Sequence, residues 1–281
     1  MIRKFLLASA GAIALTGSAA LAADLPSRAP PPVYLPPAPI FTWTGIYVGG
    51  QVGYAWTSGN FNVNGFDPIT GAVIVSNFGQ QPNGVIGGAH VGYRYQIPQW
   101  NWFTSSGIVL GLEGSVDGTS LTANGAGASD VFFITAHSKN DIQGSIRGQI
   151  GIAWDRALIY ATGGVAFGGF NTDISAFGSV PAGLPNAGQF FAGSTSISTT
   201  RTGWTVGGGI EYAITNNWFV RAEYRYTDFG TINEALFSGQ LNTLFPGASF
   251  VGDRKIHGNQ VQVGFDYKFD LFTPPPVVAK Y

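Results

Sequence analysis

The side chains that could do chemistry are few. The chain holds three histidines, His90, His137 and His257, and no cysteine. Disulfides, thiolate zinc sites and cysteine nucleophiles are therefore excluded. No His-Glu-x-x-His, phosphate-binding glycine loop or Gly-x-Ser-x-Gly occurs. His137-Ser138 sets a base beside a hydroxyl, the pair a rim hydrolase would use. Neighbours on a strand point to opposite faces, however, and no third, orienting group accompanies them. The residues therefore predict no enzyme, no metal site and no cofactor. The denser pattern is one of charges: Arg94, Arg147, Arg221, Arg225 and Lys268 against Glu113, Glu211, Glu223 and Asp266. Each sits on the polar or small side of an alternating segment, so the segments decide what these charges do.

The composition constrains those segments. Only 14 Lys+Arg and 15 Asp+Glu occur in 281 residues, so 10% are charged, against about 25% in an ordinary soluble domain. Glycine contributes 41 residues and aromatics 14%. A net charge of −1 offers no basic surface, which argues against a nucleic-acid partner. At the N-terminus, Arg3 and Lys4 precede an apolar stretch from Phe5 to Leu15, and Ala20-Leu21-Ala22 fits the small-x-small cleavage rule. Residues 1–22 thus read as a signal peptide cleaved near Ala22. Residues 23–40 carry Pro26, Pro30, Pro31, Pro32, Pro36, Pro37 and Pro39, an extended leader that cannot join a β ladder. Residues 270–281, with Pro274-Pro275-Pro276, form a similar tail.

Between leader and tail the recurring period is two. Ile46, Val48, Val52, Tyr54 and Trp56 alternate with Gly49, Gln51 and Gly53. Val85, Ala89, Val91, Tyr93 and Tyr95 alternate with His90 and Arg94. Trp218, Val220, Ala222, Tyr224 and Tyr226 alternate with Arg221, Glu223 and Arg225. Eight such strands are predicted over residues 41–269, each with one apolar and one polar or small face. Val220 and Ile150 fall on the apolar face. The segment from Ala157 to Phe170 is ambiguous in parity and leans to Ile159, Val165 and Phe167 as apolar. Gly-Gly pairs such as Gly87-Gly88 and Gly163-Gly164 suit closely packed strands.

A soluble sandwich alternates in the same way, but two features favour a membrane barrel. Long connections at 57–83, 118–140, 171–199 and 228–255 alternate with short ones at 97–101, 155–156 and 215–217. Transmembrane barrels have long external loops and short periplasmic turns. All seven tryptophans lie at or beside strand ends, as in the aromatic girdles of such barrels. Trp56 and Trp204, with Tyr54, Tyr224 and Tyr226, are expected in the outer girdle. Trp43, Trp102, Trp154 and Trp218, with Tyr267 and Phe269, are expected in the periplasmic one. The long connections hold many phenylalanines, among them Phe61, Phe132, Phe177 and Phe229. This favours a barrel wall extended above the membrane over a sticky contact surface.

The final strand, Gln262-Val263-Gly264-Phe265-Asp266-Tyr267-Lys268-Phe269, and the opening Trp43-Thr44-Gly45-Ile46-Tyr47-Val48-Gly49-Gly50 carry a resemblance. Together with the signal peptide and the Pro-rich leader, they resemble the small outer-membrane immunogenic, porin-like proteins of alphaproteobacteria. The resemblance implies an all-β, eight-stranded antiparallel up-and-down barrel in the outer membrane, embedded in lipid and lipopolysaccharide. It implies that Gln262, Gly264, Tyr267 and Phe269 form the signal read by the barrel-assembly machinery. Here that signal is internal, since twelve residues follow Phe269. It also implies host-surface or haemin contact through the loops, where His137 and His257 would be the candidate iron ligands.

Eight strands enclose an interior just wide enough for side chains to fill. Inward charges must then pair, because an isolated buried charge costs several kcal/mol. The expected outcome is a lumen closed by ion pairs, with a narrow pore for small solutes as the alternative. Ladder neighbours would supply the partners: Glu211 and Asp266 for the triad Arg221, Glu223 and Arg225. The role expected is structural and surface interaction.

Overall fold

Alternation with period two commits each segment to a strand with two unlike faces. In the computed structural model these strands form one antiparallel ring. The structure describes residues 41–66, 71, 73–97, 106–128, 132–180, 182, 187–236, 247 and 249–269. Residues 1–40, read from the sequence as signal peptide and leader, residues 270–281, read as a tail, and Trp100 and Trp102 lie outside the described residues. The strands are β1 (Gly45–Phe66), β2 (Val73–Gln80), β3 (Asn83–Ile97), β4 (Ser106–Ala128), β5 (Phe132–Trp154), β6 (Ala157–Ser179), β7 (Phe190–Ala213), β8 (Trp218–Leu236) and β9 (Ser249–Phe269). From β3 to β9 each pairs with its successor, while β1 pairs with both β2 and β3.

Those two are one wall stave. Trp56 faces Asn83 and Gly59 faces Gln80, so the register against β1 runs on unchanged. Pro82 has no N–H to donate, and this interrupts the ladder; its carbonyl still accepts from Thr57 N at 2.8 Å. The wall therefore has eight staves. It closes where β1 pairs with β9, from Ile46 opposite Phe269 to Phe66 opposite Ser249.

The faces follow the expected parity. Ile150 (57% exposed) and Val220 (43%) point outward, as do Ile159, Val165 and Phe167 of β6. Trp56, Trp154, Trp204 and Trp218 are also outward. Trp218 packs on Tyr267 with ring centroids 5.1 Å apart, and Trp204 on Tyr226 at 5.5 Å.

The four long loops of the sequence reading are, in large part, wall. β4, β5 and β6 each run 23 residues, roughly twice the ~9–11 that cross a bilayer. The cause is burial above the membrane. Phe61, Val63, Phe132, Ile134, Ile174 and Leu236 pack inside the extended wall. Phe170 and Phe229 meet edge-on at 5.1 Å just below. Rings that would be costly in solvated loops thus find a core, while their backbones stay paired.

Register shifts occur in β4–β5 between Gly118 and Leu121, in β5–β6 between Asn140 and Gln143, and in β8–β9 between Asp228 and Gly230. At the last, Gly230 takes φ 76° and its N–H donates to Asp228 Oδ1 at 2.7 Å. Only glycine adopts that backbone readily. Across this bulge the inward parity of β8 changes, from Thr227 and Phe229 to Ile232 and Leu236.

Candidate functional site

The charged positions converge in the middle of the lumen. Arg94, Arg147, Arg221 and Arg225 meet Glu113, Asp117, Glu211, Glu223 and Asp266, with His90 among them, and all ten are buried. Glu113 accepts from Arg147 Nη2 with one oxygen and from Arg221 Nη1, at 2.7 Å, with the other. Arg147 Nη1 donates to Glu223 Oε1 at 2.5 Å, and the same oxygen accepts from Arg225 Nη2 at 2.8 Å. Arg94 Nη1 donates to Glu211 Oε1 at 2.6 Å, and its Nη2 lies 3.5 Å from Asp266 Oδ2. His90 Nε2 meets Asp266 Oδ1 at 2.5 Å. The ions form one connected web across the lumen, not separate pairs.

Neutral groups complete it. Tyr47 donates to Glu113 at 2.9 Å and Tyr160 to Glu223 at 2.8 Å. Gln51 Oε1 accepts from Arg221 Nη2 at 2.5 Å, while its amide nitrogen donates to Asp117. Gln149 Oε1 accepts from Arg94 Nε at 3.0 Å, and the Arg94 guanidinium lies 4.0 Å above the Tyr47 ring. Partners of this kind are what a buried charge needs if it is not to cost several kcal/mol.

Strand glycines give these large groups room. Gly49 of β1 stands between His90 of β3 and Asp266 of β9. A Cβ there would lie 2.3 Å from Asp266 Oδ1 and 2.4 Å from His90 Nε2. The missing side chain lets β3 and β9 bond across the intervening strand. Gly92 does the same for the Tyr47 ring, 2.4 Å from its would-be Cβ.

The web is sealed at both ends. On the periplasmic side Trp43, Val109, Leu158 and Phe219 form an apolar cluster, with Phe41 packed against it. Trp43 donates from Nε1 to the carbonyl of Asp155 at 3.1 Å. On the external side lie Ala55, Ile86 and Leu121, then the rings and aliphatic residues of the extended wall.

Several expectations need correction. Trp43 is not in the periplasmic girdle: it is 1% exposed and plugs the lumen. It precedes β1, so strand parity does not govern it, and Phe219 at 5.1 Å offers a better surface than lipid. Lys268 is inward but belongs to the periplasmic rim, where Nζ donates to the Thr42 carbonyl at 2.5 Å and lies 5.5 Å from the Phe41 ring. The ladder sets only some of the ion partners: Glu113 and Arg147 face each other in register and pair, and the expected Asp266 lies 4.0 Å from Arg221 Nε. Glu211 faces Arg221 in register but bonds Arg94, while Arg221 reaches Glu113. Side chains pointing into a narrow tube meet across it as easily as along its wall.

Of the closing-strand residues, Gln262 is buried and donates to Glu223 Oε1 at 3.1 Å. Gly264 clears space beside Arg221, whose Nε would be 3.4 Å from its Cβ. Both therefore serve the lumen web, whatever else reads them. Tyr267 and Phe269 face outward, with ring centroids 5.0 Å apart. His137 and His257 are not brought together. They sit on β5 and β9, which do not pair, and His137 points outward to Asn124 Oδ1 at 2.7 Å. Among the described residues, no three histidine or acidic side chains stand where they could hold a metal. Sequence reasoning left out Tyr47, Gln51, Asp117, Gln149 and Tyr160. Asp117 shares the parity of Glu113 and could have been included; the neutral groups carry no signal beyond their facing.

Residues 10–269 match the family model described as outer membrane protein beta-barrel domain. The chain is 33% identical over 270 residues to a 31 kDa outer-membrane immunogenic protein of Brucella melitensis biotype 1, covering 95% of this chain and 100% of that one. It is 28% identical over 234 residues to a 22 kDa outer membrane protein of Rhizobium leguminosarum bv. viciae, covering 83% and 82%. Among solved structures, the outer membrane protein OprG of Pseudomonas aeruginosa is similar over 80% of this chain and 96% of its own, at 12% identity and a TM-score of 0.46. An eight-stave wall that is apolar outside and ionic inside, with matches along nearly the whole chain, leads to one conclusion: this chain belongs to the outer membrane protein β-barrel family and resides in the outer membrane of a Gram-negative cell.

Proposed function

We propose that this barrel acts through its walls and its external surface, with a lumen that does not conduct. The reading rests on one observation: the lumen is filled at three successive levels. Trp43 and Phe219 close the periplasmic end, the arginine–carboxylate web the middle, and the phenylalanines of the extended wall the external end. A porin needs a continuous wet path, and a tube of eight strands has little room beside such a filling. The outward apolar band contacts lipid and the extended wall presents surface to the exterior, so the role is envelope support and surface interaction. The reading is non-enzymatic. We further propose that outward Tyr267 and Phe269 are the residues the assembly machinery reads.

The test is ion current through the refolded chain in a planar bilayer. A closed lumen gives no steady conductance. A steady, sizeable current would replace this reading with a narrow channel for small solutes.

A further inference from the structure

The web sets four guanidiniums, Arg94, Arg147, Arg221 and Arg225, against five carboxylates, Glu113, Asp117, Glu211, Glu223 and Asp266. Outside it, Lys268 lies at the periplasmic rim on the Thr42 carbonyl, and Arg201 and Arg254 belong to the extended wall above. The web itself therefore has one negative charge in excess unless it holds a proton. His90 is the first candidate for that proton, and its hydrogen bonds exclude it. Arg221 Nη2 lies 3.0 Å from His90 Nδ1, and a guanidinium only donates, so Nδ1 accepts. The ring hydrogen is then on Nε2, donated to Asp266 Oδ1 at 2.5 Å. His90 is a neutral imidazole with both nitrogens engaged.

The excess charge falls on Glu211 of β7 and Asp266 of β9. Both side chains are 0% exposed, and both face one guanidinium. Arg94 Nη1 donates to Glu211 Oε1 at 2.6 Å, while its Nη2 stands 3.5 Å from Asp266 Oδ2. Glu211 Oε2 and Asp266 Oδ2 have no hydrogen-bond partner among the described residues. The other groups around the pair are committed elsewhere. Arg221 of β8 serves Glu113 and Gln51, with its Nε 4.0 Å from Asp266. Tyr160 of β6 donates to Glu223, and Tyr47 of β1 to Glu113 of β4. Arg147 of β5 holds Glu113 and Glu223. Two buried carboxylates on one cation repel each other, and sharing a proton relieves the repulsion. One proton here removes the excess charge. It also turns two partnerless oxygens into the donor and acceptor of a single hydrogen bond.

We propose that Glu211 and Asp266 form a proton-binding site, a carboxylic acid and a carboxylate sharing one proton beside Arg94. The web is neutral with the proton bound and loosens when the proton leaves. The filling of the lumen thereby responds to pH. Carboxyls of the unfolded chain are ionised at neutral pH, so folding takes up one proton. The stability this site contributes is present on the acid side and is lost as pH rises, the reverse of an ordinary arginine–carboxylate pair. The inference goes beyond envelope support and does not depend on the conductance result.

The experiment is urea unfolding of the refolded mature chain in lipid vesicles at a series of pH values from about 6 to 9, wild type beside Glu211→Gln. In the variant, Oε1 keeps the Arg94 bond, and the amide nitrogen donates where the protonated Oε2 would. Glu211→Gln should match wild type at neutral pH. As pH rises, the unfolding constant of wild type should climb about tenfold per pH unit relative to that of the variant, the linkage of one proton. An ionised Glu211 would give the opposite result: Gln would deprive Arg94 of its carboxylate and weaken folding about a hundredfold or more at every pH. A pH-independent loss of stability, or parallel pH profiles for the two proteins, would overturn the site. Infrared spectra of wild type at neutral pH give a second readout that holds even if the variant fails to fold. A shared proton predicts a carboxylic-acid C=O stretch that shifts in heavy water, and its absence would also overturn the site.

Discussion

Removing the Glu113 carboxylate tests whether the lumen is a dry ionic plug. In wild type it accepts from Arg147, from Arg221 at 2.7 Å and from the Tyr47 hydroxyl at 2.9 Å. In Glu113→Ala, Arg147 keeps Glu223 at 2.5 Å. Arg221 fares worse: its remaining contacts are Gln51 at 2.5 Å, His90 at 3.0 Å and Asp266 at 4.0 Å. One guanidinium is thus left without a close carboxylate. Breaking a buried pair in this way costs about 3–5 kcal/mol, and the lower half of that range is expected because Arg147 stays paired. Glu113→Ala with Arg221→Ala removes both charges and should recover part of the loss, with a coupling of roughly 0.5–3 kcal/mol. Urea unfolding in lipid vesicles, followed by tryptophan fluorescence, measures each variant. A loss below about 1 kcal/mol for Glu113→Ala, the scale of solvated pairs, would refute the reasoning and show that water reaches the web.

Replacing Arg221, Glu223 and Arg225 together by Ala should open the middle plug, and planar-bilayer current should rise above wild type; an unchanged zero current would place the seal at Trp43 or in the extended wall. Gly49→Val drives a side chain into His90 and Asp266 and should destabilise by about 1–3 kcal/mol, whereas Gly114→Ala, whose Cβ would meet nothing within 4 Å, should be close to neutral in the same unfolding assay. Val220→Arg places a charge on the lipid face and should cost roughly 2–4 kcal/mol; a variant as urea-resistant as wild type would contradict the facing of β8. Phe269→Ala should lower surface levels measured by protease accessibility, while deletion of 270–281 should leave them unchanged.

Facing was legible in the sequence because it is local. Successive side chains of a strand alternate whatever its neighbours do, so Ile150, Val220 and Ile159 could be placed outside and Arg94, Glu113 and Glu211 inside from parity alone. The stave count followed from the spacing of those segments. Partner choice was legible only where ladder neighbours pair, as Glu113 and Arg147 do. Arg94 and Glu211 are 117 positions apart on staves that do not pair, and they meet because the stagger of the closed ring sets inward residues at matching heights. Ladder adjacency would have given Glu211 to Arg221. The facing of Trp43 was likewise undecided, since it stands before the first strand and is fixed by Phe219 and the Asp155 carbonyl. Pro82 could suggest a break but not that the register continues through it. The sequence alone determined which face of each strand meets lipid, because that depends on one chain's own geometry; the tertiary structure decided which charges meet and what fills the lumen above and below them, because those depend on how the closed ring sets its strands against one another.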